Sequence, residues 1–307
     1  MNIKTNNDRF YSLNNYLKEK FGRKIYKVSL DGGFTCPNRD GKISAMGCLF
    51  CSDRGSGEFT GERGHSITEQ INEQLEFIKA KNNSGEVIAY FQNFTNTYAP
   101  VEYLRKIYYE ALSHEKIIGI AVATRPDCLG DDVLELLSEI NEKFFLWIEL
   151  GLQTAKDNIA GVINRGYKTE CYIEVCEKLN KRNIKFVTHM IVGLPHEEKQ
   201  DLFDTVSLIN QVHSWGIKIH LLYMLKGSRL EKYYHEYNFK IYERDEYTDI
   251  AVQLIEKLNP EIVIHRLTGD AKKEDLFMPL WSADKRAVLN EIQKKLKIKN
   301  TYQGKEF

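Results

Sequence analysis

Short apolar runs alternate along this chain with longer segments in which apolar residues recur at helical spacing. The short runs are almost continuously apolar and lack strict alternation with polar residues. Parallel strands that are covered on both faces have this composition, whereas half-exposed strands alternate. The pattern therefore predicts a β/α protein with strands at 26–30, 87–92, 117–123, 144–150, 185–191 and 218–224.

Helical periodicity fills the segments between these strands. Ser66 and Glu69 form a capping-box pattern, which predicts a helix start at this point. Pro100 is a favoured first-turn residue and predicts the start of another helix. Further helices are predicted at 131–142, between 155 and 181, and at 197–214.

Six β/α units with right-handed crossovers form either an open doubly wound sheet or a partial barrel, and periodicity does not choose between them. Beyond the sixth unit the pattern predicts helices at 243–258 and 283–297 and a short strand at 261–265. No low-complexity linker precedes this part. We therefore predict a core at 1–232, with an N-terminal lead-in, and a small C-terminal α/β extension at 233–307 packed on it.

Composition restricts the function classes. The 307 residues carry 43 basic and 43 acidic side chains, and 42% are hydrophobic, as in a soluble globular protein. Zero net charge disfavours indiscriminate nucleic-acid binding, but it permits local basic clusters such as Lys181, Arg182 and Lys185. No apolar run approaches the roughly 18 residues of a membrane span, and residues 1–8 show no signal region. We expect a cytoplasmic protein without membrane contact.

Three cysteines, Cys36, Cys48 and Cys51, lie within sixteen residues, and no fourth follows nearby. In the reducing cytosol such a group indicates metal ligation rather than disulfides. Three thiolates leave one metal position for a ligand that is not protein, which favours a reactive centre. Two alternatives remain open: a zinc-stabilised binding module, with His65 as the nearest fourth ligand, and an electron-transfer protein.

Polar residues follow every predicted strand, and ligands of parallel α/β proteins bind at the carboxyl ends of strands. We expect the candidate site at this edge. His189, His220 and His265 lie in apolar strands and are interpreted as hydrogen-bonded core histidines. The polar strand-end residues include Asp31, Gln92, Asn93, Thr124, Arg125, Glu149, Gln153, Tyr223 and Lys226.

Several motifs carry a family resemblance. CLFC at 48–51, ELGLQ at 149–153 and NRGY at 164–167 resemble the radical S-adenosylmethionine (SAM) superfamily. The long first cysteine spacing is similar to that of the branch that contains the catalytic subunit of Elongator. Two departures from the superfamily pattern stand out: eleven residues replace the usual three between the first cysteines, and no Gly-Gly-Glu follows the second strand.

A narrower resemblance covers almost the whole chain. The segments from 27 to 51, FQNFTNTYAP at 91–100 and VIHRLTGD at 263–270 resemble the bacterial YhcC/YtqA-type proteins. The resemblance implies a partial (β/α)6 TIM-like barrel of the radical SAM type. It also implies a [4Fe-4S] cluster on the three cysteines, whose fourth iron chelates SAM, and an external one-electron donor of the flavodoxin or ferredoxin type. One electron then cleaves SAM to a 5′-deoxyadenosyl radical, which abstracts a hydrogen atom from the substrate.

The resemblance also implies roles for individual residues. Phe50 would pack near the adenine, and Gln92 or Asn93 would meet the SAM amino group. Thr124, Glu149 and Arg165 would bind ribose hydroxyls or the SAM carboxylate. Tyr223 and Lys226 are the candidate catalytic residues that contact substrate.

The implied substrate is the C5 side chain of a tRNA wobble uridine. A small-molecule or protein substrate is the alternative. The chain lacks the acetyltransferase domain of the Elongator subunit, so the same carboxymethyl reaction is not assumed. The sequence leaves the oligomeric state open.

Overall fold

The computed structural model describes residues 9–55, 60–81, 85–269 and 271–307. Segment 1–8, where the sequence predicts no signal region, and Asp270 of the VIHRLTGD motif lie outside the described residues. Within the described part, seven parallel strands form one sheet that curls into a half-barrel, so the predicted partial barrel is confirmed. In spatial order they are β1 (Tyr26–Leu30), β2 (Val87–Phe91), β3 (Ile117–Thr124), β4 (Phe145–Gln153), β5 (Lys185–Val192), β6 (Gly216–Leu221) and β8 (Val263–Arg266).

Helices cover the outside of this sheet. The predicted capping box is confirmed, because Ser66 Oγ accepts from the Glu69 amide and Glu69 Oε2 accepts from the Ser66 amide. None of the described helices is both long and apolar enough to cross a bilayer. The helices are α1 (Leu13–Phe21), α2 (Ile67–Ile78), α3 (Val101–Leu112), α4 (Asp131–Lys143), α5 (Asp157–Val162), α6 (Thr169–Lys181), α7 (Lys199–Gln211), α8 (Arg229–Tyr237), α9 (Arg244–Lys257) and α10 (Lys285–Ile298).

The predicted sixth strand at 218–224 is wrong at both ends. β6 begins at Gly216 and ends at Leu221, and Met224 belongs to a second, antiparallel ribbon. This ribbon pairs β7 (Met224–Leu225) with β9 (Leu276–Met278). No charged residue separates Leu221 from Met224 in the sequence, but the hydrogen-bonding partner of the chain changes between them.

The C-terminal part contributes directly to the barrel. β8 pairs in parallel with β6 as the outermost strand of the sheet, so this segment extends the sheet rather than only packing on it. Helices α9 and α10 pack on its outer face together with the main core. The division between residues 232 and 233 stays a prediction.

The inner face of the barrel has its own apolar cluster near the amino ends of the strands. Ile88, Ala121, Trp147 and Val187 are fully buried there. Leu17 of α1, a helix that the periodicity did not predict, packs into the same cluster. The cluster fills the barrel from the amino ends of the strands, which leaves a cavity toward their carboxyl ends.

Candidate active site

A cavity of about 220 Å³ opens at the carboxyl ends of the strands. Its walls come from the cysteine loop, from β2 to β6 and from Arg266 of β8, as the parallel architecture predicts, and from Arg165 and Tyr167 between α5 and α6. Cys36, Cys48 and Cys51 line it together with six residues to which the resemblance gives a cofactor or substrate role: Phe50, Gln92, Thr124, Glu149, Arg165 and Tyr223.

Tight turns in the cysteine loop fix the three thiols. The Cys36 carbonyl accepts from the Arg39 amide at 2.8 Å, and the Cys48 carbonyl accepts from the Cys51 amide at 3.1 Å. All three cysteines are half-buried, and none of them forms a disulfide within the described residues. Because they share one cavity wall, they are available to bind the same group.

The environment of Cys48 is suited to a metal-bound thiolate. Burial raises the pKa of the Cys48 thiol to about 12, with the charges of Cys51 and Cys36 adding to the effect, while Arg125 and Asn38 oppose it. The Asn38 side-chain amide lies 3.4 Å from Cys48 Sγ and donates to it. Such a thiol loses its proton readily only when a bound cation compensates the charge.

Two predicted site residues do not reach the cavity. Asn93 is buried, and its side-chain amide donates to Asp31 Oδ2 at 2.6 Å. Lys226 lies on the β7–β9 ribbon, where its Nζ donates to the Glu274 carbonyl at 2.7 Å. Both residues follow a strand in the sequence, but their side chains bind neighbouring segments instead of facing the cavity.

Arg165 lines the cavity, but its guanidinium forms hydrogen bonds within the protein. Its N–H groups donate to the carbonyls of Leu152, Thr154 and Tyr167 and to the side chains of Asp157 and Thr169, at 2.7 to 3.1 Å. These bonds join the end of β4 to the segment between α5 and α6. A ligand carboxylate would have to displace one of them.

Glu149 is the centre of a buried hydrogen-bond network. Its Oε2 accepts from Lys218 Nζ, from the Tyr90 hydroxyl at 2.6 Å and from His189 Nε2 at 2.8 Å. Burial opposes the charge, but Lys218 and Lys27 beside it hold the pKa of this carboxyl well below its usual range. Glu149 is therefore an ionised anchor with several protein partners, rather than a free ribose ligand.

The histidines divide into two groups. His189 is hydrogen-bonded as expected, and burial together with the Lys218 charge lowers its pKa to about 4. The expectation is wrong for His265, because neither ring nitrogen has a hydrogen-bond partner among the described residues and the ring packs edge-on against Trp147 and Trp215. His220 Nε2 is likewise buried without a partner in the described part of the chain, at the edge of the cavity.

Sequence reasoning missed Lys218 and several other cavity residues, and it interpreted His220 as a core histidine although this residue lines the cavity. Lys218 and His220 alternate with apolar residues in β6, and this period of two points both side chains to the inner face. This alternation could have identified both residues as facing the barrel interior from the sequence. Arg39, Tyr90, Tyr167 and Arg266 also line the cavity without having been singled out.

Comparison with known proteins gives the family. Residues 40–209 match the radical SAM superfamily model, and residues 214–298 match the radical SAM C-terminal domain model. The chain is 44% identical to the uncharacterized protein YtqA of Bacillus subtilis over 97% of its own length and 93% of that protein. The archaeal Elp3 of Methanocaldococcus infernus has a similar fold, with a TM-score of 0.68 at 14% identity over 91% of this chain and 64% of that one.

Two more distant relatives match part of the chain. Elongator complex protein 3 of Drosophila melanogaster is 26% identical over 57% of this chain and 31% of that protein. The tRNA-2-methylthio-N(6)-dimethylallyladenosine synthase of Clostridium botulinum is 31% identical over 36% of this chain and 25% of that protein.

The chain therefore belongs to the radical SAM superfamily and is an enzyme, with a [4Fe-4S] cluster and SAM as its cofactors. A zinc-stabilised module without turnover is accordingly wrong. The three sulfur donors of the cavity fit the cluster, because soft thiolates are the ligands that iron–sulfur clusters take. Within the described residues, no group of three or more His, Cys, Asp or Glu side chains has the geometry to hold a single metal ion.

Proposed function

We propose that this enzyme modifies the C5 side chain of a tRNA wobble uridine, with its cluster on Cys36, Cys48 and Cys51. The observation that carries the cluster assignment is that these three cysteines line the same cavity and form no disulfide within the described residues. No fourth cysteine lines the cavity within the described residues, so one iron position is available to SAM. When bound, the cluster and SAM supply hydrogen-atom abstraction from a substrate C–H bond.

Hydroxyl hydrogen bonds assign a donor direction at Thr124. Thr97 Oγ1 donates to the Cys128 carbonyl at 2.6 Å, which uses its one proton. In the 2.6 Å contact between the two threonines, Thr124 must therefore donate to Thr97. Its free lone pairs face the cavity as acceptors, the function that binding a ribose hydroxyl requires.

Two other cavity residues serve the cofactor in this proposal. Phe50 packs on an apolar cluster that includes Leu49, Ile191 and Leu222, and this wall excludes water where the adenine would lie. Gln92 lines the cavity at the end of β2 and supplies an amide for the SAM amino group. Tyr223 stays the candidate for substrate contact, since Lys226 lies outside the cavity lining.

The tRNA assignment has three supports. One is the resemblance to the Elongator branch, and another is the partial match to a tRNA-modifying synthase. A third is α8, which begins beside the cysteine loop, where Arg229 donates to the Gly47 carbonyl at 3.1 Å. The rings of Tyr233 and Tyr237 on this helix lie 4.4 Å apart and Tyr237 is 53% exposed, so the helix offers an aromatic face on which an unpaired base can stack.

The basic cluster proposed from sequence has a different position. Lys181 ends α6 and Lys185 begins β5, so the cluster lies at the amino ends of the strands. The cavity opens at the opposite edge. Phosphate contacts near the reacting uridine must therefore come from other residues.

The proposal also includes a cytoplasmic location for the enzyme. It takes a protein of the flavodoxin or ferredoxin type as the external one-electron donor.

Nucleoside analysis of tRNA tests the substrate. Cells that lack the gene are expected to lose one modified wobble uridine or to accumulate its precursor. Wild-type enzyme and the Cys171→Ala control should restore the profile, whereas Cys36→Ala should not. Unchanged nucleosides in the deletion strain would contradict the tRNA assignment and favour a small-molecule or protein substrate.

A further inference from the structure

The cavity ends in a group of nitrogen-bearing side chains on the inner barrel face. Lys218 and His220 come from β6 and Arg266 comes from β8, and all three line the cavity. We call these three residues the basic floor. Neither the cysteine loop nor the proposed SAM contacts include them.

A β-bulge brings Arg266 into this group. β6 and β8 pair Ile217 with Ile264, and the next pair is Lys218 with Arg266, so His265 is skipped. A bulge of this kind redirects the side chains that follow it. Arg266 consequently lies beside Lys218 and faces the cavity.

Two members of the basic floor, Lys218 and His220, have polar atoms without a partner among the described residues. Lys218 Nζ carries three N–H donors, and its described bonds go to the Glu149 carboxylate and to the Tyr90 hydroxyl at 3.0 Å. That leaves one donor of Lys218 without an acceptor among the described residues. His220 Nε2 is buried and has no partner among them either.

The surroundings are electropositive. Glu149 forms ion pairs with both Lys218 and Lys27, the latter at 3.9 Å, so two ammonium groups share one carboxylate. Burial lowers the pKa of Lys27, and the charge of Arg266 adds to that effect against the attraction of Glu149. Burial lowers the pKa of His220 well below its usual range, with the charges of His189, Arg266 and Lys218 contributing, so this ring is neutral.

We propose that the basic floor binds an anionic group of the substrate, a carboxylate or a phosphate, which accepts hydrogen bonds from Lys218 Nζ, His220 Nε2 and Arg266. An anion at this point pairs with the Lys218 and His220 donors that lack acceptors among the described residues, and its charge offsets the repulsion of Arg266 with the neighbouring cations. The inference rests on the proposed function in taking this cavity as the substrate site, but it does not depend on the substrate being tRNA.

Ligand-observed NMR on the reconstituted, oxygen-free holoenzyme tests the proposal. The probes are ¹³C-labelled acetate and inorganic phosphate, whose line widths report weak binding. Wild-type protein should bind at least one of them, and Arg266→Gln should weaken that binding by about tenfold or more, because a charge-assisted hydrogen bond is lost. Arg266→Lys keeps the charge and should lose less.

A second variant and a control guard against misfolding. His220→Phe keeps the ring shape but removes Nε2, and it should weaken binding by about threefold or more. Arg105→Gln, an exposed arginine that pairs with Glu139 on the outer helices, should bind the probes as the wild type does. Far-ultraviolet circular dichroism verifies the fold of each variant.

Adding saturating SAM separates the two sources of a carboxylate. Continued acetate or phosphate binding in its presence supports a substrate subsite. Displacement of the probe by SAM would assign the floor to the SAM carboxylate and overturn the proposal, as would equal binding by wild type and Arg266→Gln or no binding by the wild type. This binding test does not use the tRNA nucleoside profile. Failure of the basic-floor proposal is therefore distinguishable from failure of the tRNA assignment.

Discussion

Lys218 and Glu149 form an ion pair inside the barrel, on two strands that flank β5. Their side chains are 3% and 0% exposed. His189 of the strand between them donates to the same carboxylate, and Tyr90 hydrogen-bonds to both partners. The pair therefore links β2, β4, β5 and β6 directly beneath the site of the proposed chemistry.

Removing one partner of this pair should be costly. Lys218→Met leaves the buried Glu149 carboxylate without its closest cation, so we expect a loss of about 3 to 5 kcal/mol in the free energy of unfolding. Lys143→Met is the control, because Lys143 pairs with Glu139 on the helix surface. Chemical denaturation measures both. Equal, small losses of stability in the two variants would contradict this expectation, because the buried pair would then stabilise the fold no more than the surface pair does.

This network also marks the limit of sequence reasoning. The capping box at Ser66 and Glu69 depends on residues three apart, so it was predictable from the sequence. The polar strand-end residues were also predictable as a group, because each of them lies at or shortly after the end of its predicted strand in the sequence. The position of Arg266 depends on a bulge between strands whose sequence positions lie far apart, and no local pattern encodes it.

The end of β6 shows the same limit. β6 ends at Leu221, and Met224 and Leu225 pair with β9 about fifty positions on, which no local pattern indicates. The role of Arg165 as a ligand contact rests on the family resemblance and stays a prediction. Its described acceptors include Leu152 of β4, Asp157 of α5 and Thr169 of α6.

Iron content tests the cluster ligands. Cys36→Ala, Cys48→Ala and Cys51→Ala should each lose most of the iron that the reconstituted wild type retains after gel filtration, because every thiolate holds a separate iron. Cys171→Ala, in a half-buried position on α6, should retain it. Full iron retention by any of the three loop variants would remove that residue from the ligand set.

Base stacking on α8 is testable by RNA binding. Tyr237→Ala removes the exposed ring of the tilted Tyr233–Tyr237 pair and should weaken tRNA binding by about tenfold, the usual order for one lost stacking contact. Tyr302→Ala removes another exposed tyrosine, near the C-terminus, and should not. Filter binding at fixed ionic strength measures both. An equal effect of the two substitutions would place the tRNA elsewhere.

Glu197 gives the enzyme a pH-dependent stability. Burial raises the pKa of this carboxyl to about 8, against the hydrogen bonds it accepts from the amides of Gly193 and Leu194. The folded protein therefore holds a proton that the unfolded chain releases near pH 4.3. Stability from this group is present at low pH and is lost as pH rises through about 8.

Glu197→Gln removes this titration while keeping an oxygen acceptor for the two amides. Between pH 5 and pH 8 the variant should gain stability relative to the wild type, by on the order of 3 kcal/mol. Urea unfolding at both pH values measures the difference. A constant difference between the two proteins across this range would refute the assignment of a protonated Glu197.

The most direct test of the whole account is release of 5′-deoxyadenosine. Reconstituted enzyme, given SAM and a strong reductant without oxygen, should form 5′-deoxyadenosine, and a variant with Cys36, Cys48 and Cys51 all replaced by alanine should form none. Wild-type protein that carries its iron, binds SAM and still yields no 5′-deoxyadenosine, with or without tRNA, would contradict the account.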